Sequence, residues 1–105
     1  MEVTVEETAA LVAAGDATLL DCRELHEWET ARIEGAALLP MSELSDRAEE
    51  LRPLAERPVI VYCHHGVRSR HVAAALAASG FNDVRSMAGG IDGWSLRIDP
   101  DVPRY

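Results

Sequence analysis

Short apolar runs and amphipathic stretches alternate along the chain, and their order predicts alternating strands and helices. The clearest run is Val59 to Tyr62, unbroken and β-branched at three positions, which predicts a strand buried on both faces. After a short polar loop, Ser69 to Ser79 is Ala-rich and predicts a helix, closed by Gly80 where helices commonly turn left-handed. Near the start, Thr4-Val5-Glu6-Glu7 has the form of a capping box, opening a helix whose apolar face includes Ala9, Leu11 and Val12 and which ends at Gly15-Asp16. Ala17 to Leu20 predicts a short strand with Asp21 at its carboxyl end, and Glu24 to Thr30 one or two helical turns. Ala36 to Leu39 predicts another strand, stopped by Pro40. A helix to about Leu51 then follows, capped by Ser42 or Ser45, with Leu44, Ala48 and Leu51 as its buried stripe. Pro53 to Pro58 leads into the central strand. Val84 to Met87 is a further strand, Gly89-Gly90 a turn, and Ile91 to Leu96 a last helix in which Trp94 packs on the core. Asp99 to Tyr105 reads as an irregular cover or a loose end. This order is that of an α/β fold with helices on both faces of a mainly parallel sheet.

Composition narrows the class. A chain of 105 residues is expected to form one domain, with 48% hydrophobic and 27% charged residues typical of a soluble globular protein. The net charge of −8 argues against nucleic-acid and anionic-membrane partners. Two cysteines, Cys22 and Cys63, make neither a disulfide framework nor a metal-site spacing. With no leader-like segment and no run of membrane-spanning length, the expectation is a cytoplasmic protein in a reducing compartment.

The chemistry concentrates between the central strand and its helix. A buried parallel strand running into a loop and a helix is where open α/β sheets place ligands. The loop opens with Cys63 and ends on Arg68 and Ser69. A thiol reacts as a thiolate, and a free pKa of about 8.5 must fall for work at neutral pH. The helix N-terminus, a nest of loop amides and the charge of Arg68 all act in that direction, and Gly66 frees the loop backbone. The same features suit an anionic substrate.

Cys63-His64-His65-Gly66-Val67-Arg68-Ser69 resembles the active-site loop of rhodanese-type sulfurtransferases, Cys-x-x-Gly-x-Arg-Ser/Thr. Asp21-Cys22-Arg23-Glu24-Leu25-His26-Glu27-Trp28 with Ile33-Glu34-Gly35-Ala36 is similar to the family's upstream signature, and Gly89-Gly90-Ile91 with Trp94 to its C-terminal segment. Ala31-Arg32 departs from the Gly-His common in the family before Ile-x-Gly-Ala. The resemblance implies a five-stranded sheet and sulfur transfer without metal or organic cofactor. Cys63 would be the nucleophile, attacking the outer sulfur of thiosulfate or a persulfide and passing it from a Cys63 persulfide to cyanide, a thiol or a protein acceptor. His64, His65, Gly66, Val67, Arg68 and Ser69 would bind the small anionic donor, the histidines and Val67 shaping access.

The remaining polar residues have plainer readings. Asp21, Arg23 and Glu27 are expected to form an ion-pair and capping cluster that fixes the loop, with Arg23 and Glu27 spaced to pair. Cys22 reads as a small core residue where the family usually has an aliphatic one, a resolving thiol being the alternative. Zinc on Cys63, His64 and His65 is disfavoured, since adjacent ligands in a short loop suit a tetrahedral ion poorly. His71 is expected in solvent; Arg70 is either a surface residue or a second charge at the pocket mouth. Two other functions remain open. Cysteine-loop phosphatases and arsenate reductases use a loop one residue longer than the four residues here between Cys63 and Arg68. A non-catalytic interaction module of the same family is the other, and such modules usually lose the cysteine.

Overall fold

The computed structural model describes residues 1–105. Its elements are β1 (Glu2–Val3), α1 (Val5–Ala13), β2 (Thr18–Asp21), α2 (Leu25–Thr30), β3 (Ala37–Leu38), α3 (Leu44–Arg47), β4 (Val59–Tyr62), α4 (Val67–Ala78), β5 (Val84–Met87) and α5 (Gly90–Arg97). The five strands form one parallel sheet in the order β1-β5-β4-β2-β3. The chain leaves β2 toward β3 and leaves β4 toward β5, so it turns in opposite directions at the β2–β4 seam. Such a switch point opens a crevice at the carboxyl ends of the strands.

The strand pleat sorts side chains between two cores. Ile60 and Tyr62 join Leu19, Met87, Ile91 and Trp94 on the α1/α5 face. Val59, Val61 and Cys63 join Leu20, Cys22, Val72 and Leu76 on the α4 face. All four residues of β4 are buried, in keeping with its apolar run. At α1 the Thr4 hydroxyl accepts from Glu7 N at 3.0 Å and Glu7 accepts from Thr4 N at 2.9 Å, completing the capping box. Val5 and Thr8 are its buried residues, with Ala9, Leu11 and Val12 half-buried around them.

Two expected helices differ from the structure, and one strand goes unmarked in the sequence. The helix to Leu51 is broken: a 3₁₀ turn at Met41–Glu43, the single turn of α3, then a 3₁₀ stretch over Ala48–Glu56. Pro53 lies inside that last stretch and lacks the N–H an α-helical ladder needs. Neither serine caps it; the Ser42 hydroxyl donates to Glu24 Oε1 at 2.7 Å. Second, α4 begins at Val67 rather than Ser69, because Gly66 adopts φ +107° and serves as its N-cap. The edge strand β1 is too short to leave a periodic signal. The segment after α5 is a cover: Val102 is buried in the first core, and Ser95 Oγ donates to its carbonyl.

Candidate active site

The Cys63 side chain sits just beyond β4, at the mouth of the switch-point crevice, and is 1% exposed. The turn that follows is set by two close approaches. A Cβ at Gly66 would stand 3.3 Å from Gly89 N, in a backbone region side chains rarely adopt. Gly90, at φ +61°, lies so close to the loop that a Cβ there would collide with the Cys63 and His64 carbonyls. In return, Ile91 N donates to Cys63 O at 2.8 Å and Asp92 N to His64 O at 3.2 Å. The start of α5 thereby fixes the first half of the loop.

This turn folds the N-terminus of α4 onto the sulfur. Gly66 N donates to Cys63 Sγ at 3.1 Å and Ser69 N at 3.3 Å. Ser69 Oγ lies 3.5 Å from Sγ and becomes the donor once the thiol is ionised. The Ser69 hydroxyl is itself held by Ser86 Oγ at 2.7 Å, both side chains being buried. The Cys63 pKa is therefore drawn well below the ordinary thiol value. The neighbouring Cys22 thiol contributes most, with Ser69 and Gly66 helping and burial opposing. Ser86 escaped the sequence reading; it lies on β5, with no motif to mark it.

Around the sulfur the charges are paired. Arg68 donates through Nη1 and Nη2 to the Glu27 carboxylate at 2.6 and 2.8 Å, a two-pronged contact. That contact, with help from Tyr105 and Glu24 N–H and against burial, holds the Glu27 carboxyl down to about 2. Sequence spacing pairs Glu27 with Arg23 instead, but Arg23 turns the other way. Its fully buried guanidinium grips Asp21, with Nη2 on Oδ2 at 2.6 Å. It reaches Glu27 only at the backbone carbonyl, at 3.3 Å, and also donates to Ala31 O at 2.6 Å. Arg23 thus ties the end of β2 to the end of α2, while Glu27 is left for Arg68.

An aromatic stack closes the mouth. The His64 ring lies between His65 and Tyr105, each centroid 3.9 Å away. The Tyr105 hydroxyl accepts from Arg23 Nη1 at 2.8 Å and donates to Glu27 Oε2 at 2.7 Å. The covering segment is latched by Arg104 on Asp92 at 2.8 Å. Tyr105 was invisible to sequence reasoning, since nothing local connects it to the loop. Val67 and His65 are exposed beside the stack, and His71 is exposed farther along α4. Arg70 is a surface residue: it lines a groove with Met1, Glu2 and Ala74. The largest cavity lies away from Cys63, between Trp28, Ile33 and Pro103.

Comparison with known proteins bears on the family and the fold. A family model for the rhodanese-like domain matches residues 4–97. Thiosulfate sulfurtransferase GlpE of Actinobacillus succinogenes is 34% identical over 93 residues, covering 89% of this chain and 82% of that protein. The probable adenylyltransferase/sulfurtransferase MoeZ of Mycobacterium tuberculosis is 39% identical over 88 residues, 83% of this chain, but the chain spans only 22% of that protein's length. A rhodanese-related protein from Thermoplasma volcanium superposes with a TM-score of 0.85 at 26% identity, over 99% of this chain and 98% of that one. No helix is long and apolar enough to cross a membrane. In fold, in motif and in sequence, the chain belongs to the rhodanese-like family.

Proposed function

We propose that the protein is a sulfurtransferase in which Cys63 carries the sulfur. The observation that carries this reading is the convergence of Gly66 N, Ser69 N and Ser69 Oγ on Cys63 Sγ at the N-terminus of α4. The sulfurtransferase named among the relatives of similar length supports it.

In the first half-reaction the Cys63 thiolate attacks the outer sulfur of thiosulfate. The new bond is Cys63 Sγ–S; the donor's S–S bond breaks and its electron pair leaves with sulfite. The product is a Cys63 persulfide, whose outer sulfur meets the field of α4 and the loop amides. In the second, an acceptor attacks that outer sulfur and the Cys63 thiolate departs. Cyanide gives thiocyanate by this route, and a thiol or protein acceptor gives a new persulfide. Each step exchanges one sulfur–sulfur bond for another bond to sulfur, so no metal or organic cofactor is required. His64, His65 and Val67 shape the mouth. Arg68 favours a small anionic donor, with its charge tempered by Glu27. A reducing, cytoplasmic setting would keep Cys63 free to react.

The cysteine-loop phosphatase reading is disfavoured by the same geometry. The loop donors are spent on Sγ itself, whereas a phosphoryl group needs donors for three oxygens around the attacked atom. The test sets the two side by side on the unmodified protein. Thiosulfate with cyanide is expected to yield thiocyanate, and an aryl phosphate little or no phosphate. Phosphate release without thiocyanate would overturn the assignment.

A further inference from the structure

Cys22 is the second thiol of the chain, and the mechanism above gives it no step. Its backbone N donates to Tyr62 O at 3.1 Å, extending the β2–β4 ladder one residue past the Asp21–Tyr62 pair. That register sets Cys22 beside Cys63 at the carboxyl ends of the two strands that flank the switch point. The pleat turns both side chains to the α4 face, where they share a cluster with Leu20, Val61 and Val72. Cys22 is wholly buried, and its thiol packs beside Cys63 with no backbone or hydroxyl partner of its own.

Which of the two neighbouring thiols ionises follows from the other donors. Gly66 N, Ser69 N and Ser69 Oγ converge on Cys63, and none of them reaches Cys22. The negative charge therefore belongs on Cys63 and the shared proton on Cys22. We propose that Cys22 is a positioning residue for the reacting sulfur: its S–H, aimed by strand register, donates to the Cys63 thiolate. The interaction with Cys63, burial and the charges of Cys63 and Asp21 all push the Cys22 thiol up, so it keeps its proton and remains a donor. The charged groups facing the pair are Asp21 on β2 and Arg68 on α4, with Glu27 of α2 paired to Arg68. His64 follows Cys63 within the stack. A thiol is a weak donor, but with both sulfurs out of water even a weak donor favours the ionised partner.

This role rests on Cys63 being the reacting sulfur, so the test reads thiol ionisation and uses no sulfur transfer. The rate of Cys63 alkylation by iodoacetamide is followed across pH, with the modified cysteine located by peptide mass, in the unmodified protein, Cys22→Ala, Cys22→Val and Cys22→Ser. Removing the donor in the Ala and Val variants is expected to raise the alkylation midpoint by about one pH unit, a roughly tenfold slower reaction on its acid side. Cys22→Ser keeps an O–H donor of similar reach and is expected to hold the original midpoint. Ala and Val bracket the cysteine in volume, so a packing effect alone would not move both the same way. Midpoints unchanged in Ala and Val would overturn the proposal, as would a Ser variant shifted as far as Ala. A Cys22–Cys63 disulfide as the product of thiosulfate treatment would also overturn it, since Cys22 would then be a nucleophile.

Discussion

Arg68 and Glu27, 41 residues apart in the chain, meet as a fork on a carboxylate and join the first turn of α4 to α2. Glu27 is buried, so removing Arg68 would strand its charge. Arg68→Ala is expected to lower stability by about 2 kcal/mol as well as slowing thiosulfate turnover, with Arg68→Lys recovering only part because an ammonium lacks the planar fork. Adding Glu27→Ala to Arg68→Ala is expected to cost less than the sum of the single changes, by about 1 kcal/mol or more. A denaturant double-mutant cycle measures this; strict additivity would mean the contact contributes nothing.

The same pair sets an acid limit. The Glu27 carboxyl is held at about 2, below its ordinary value of 4.5. A depressed carboxylate contributes stability that is complete above its unfolded pKa and is lost as pH falls through the folded one. Stability is therefore expected to fall between about pH 5 and pH 2, and Glu27→Gln to show a shallower fall over that window. Urea midpoints across pH check this, and equally steep limbs would contradict it.

Gly90 carries the weight of the loop's close packing. Gly90→Ala forces a Cβ into the Cys63 and His64 carbonyls at a positive φ. The expected cost is about 2–4 kcal/mol, from overpacking and left-handed strain together. Because the displaced atoms belong to the Cys63 turn, turnover should fall further than the unfolded fraction explains. Thermal melts paired with thiosulfate assays at low temperature separate the two effects.

Tyr105 predicts a separation between its ring and its hydroxyl. Tyr105→Phe keeps the stack on His64 but removes the bonds to Arg23 and Glu27, with an expected cost of about 1 kcal/mol. Tyr105→Ala loses both, and amide exchange over residues 64–66 is expected to quicken in that variant and not in Phe. Equal protection in all three proteins would show that the ring does not hold the loop.

What could be read in the sequence was what local pattern encodes. The Val59–Tyr62 run, the Thr4–Glu7 capping box and the α4 stretch each carry their signal within a dozen residues, and each forms an element. The segment before β4 breaks where a helix is expected, because its apolar stripe is helical while Pro53 denies it the ladder. Partners distant in sequence were hidden. Spacing suggested Arg23 for Glu27, but the strand register sends Arg23 to Asp21, and α4 delivers Arg68 from far along the chain. Tyr105 meets Arg23 across 82 residues, and Ser86 reaches Ser69 from a neighbouring strand. The closeness of Cys22 to Cys63 exists only in the pairing of β2 with β4.

The central claim is that Cys63 itself carries the transferred sulfur, and peptide mass after brief exposure to thiosulfate tests it most directly. The Cys63 peptide is expected to gain the mass of one sulfur atom, to lose it when cyanide is added, and to show neither change in Cys63→Ser. An unchanged Cys63 peptide while thiocyanate is being formed, or the added sulfur found on Cys22, would contradict it.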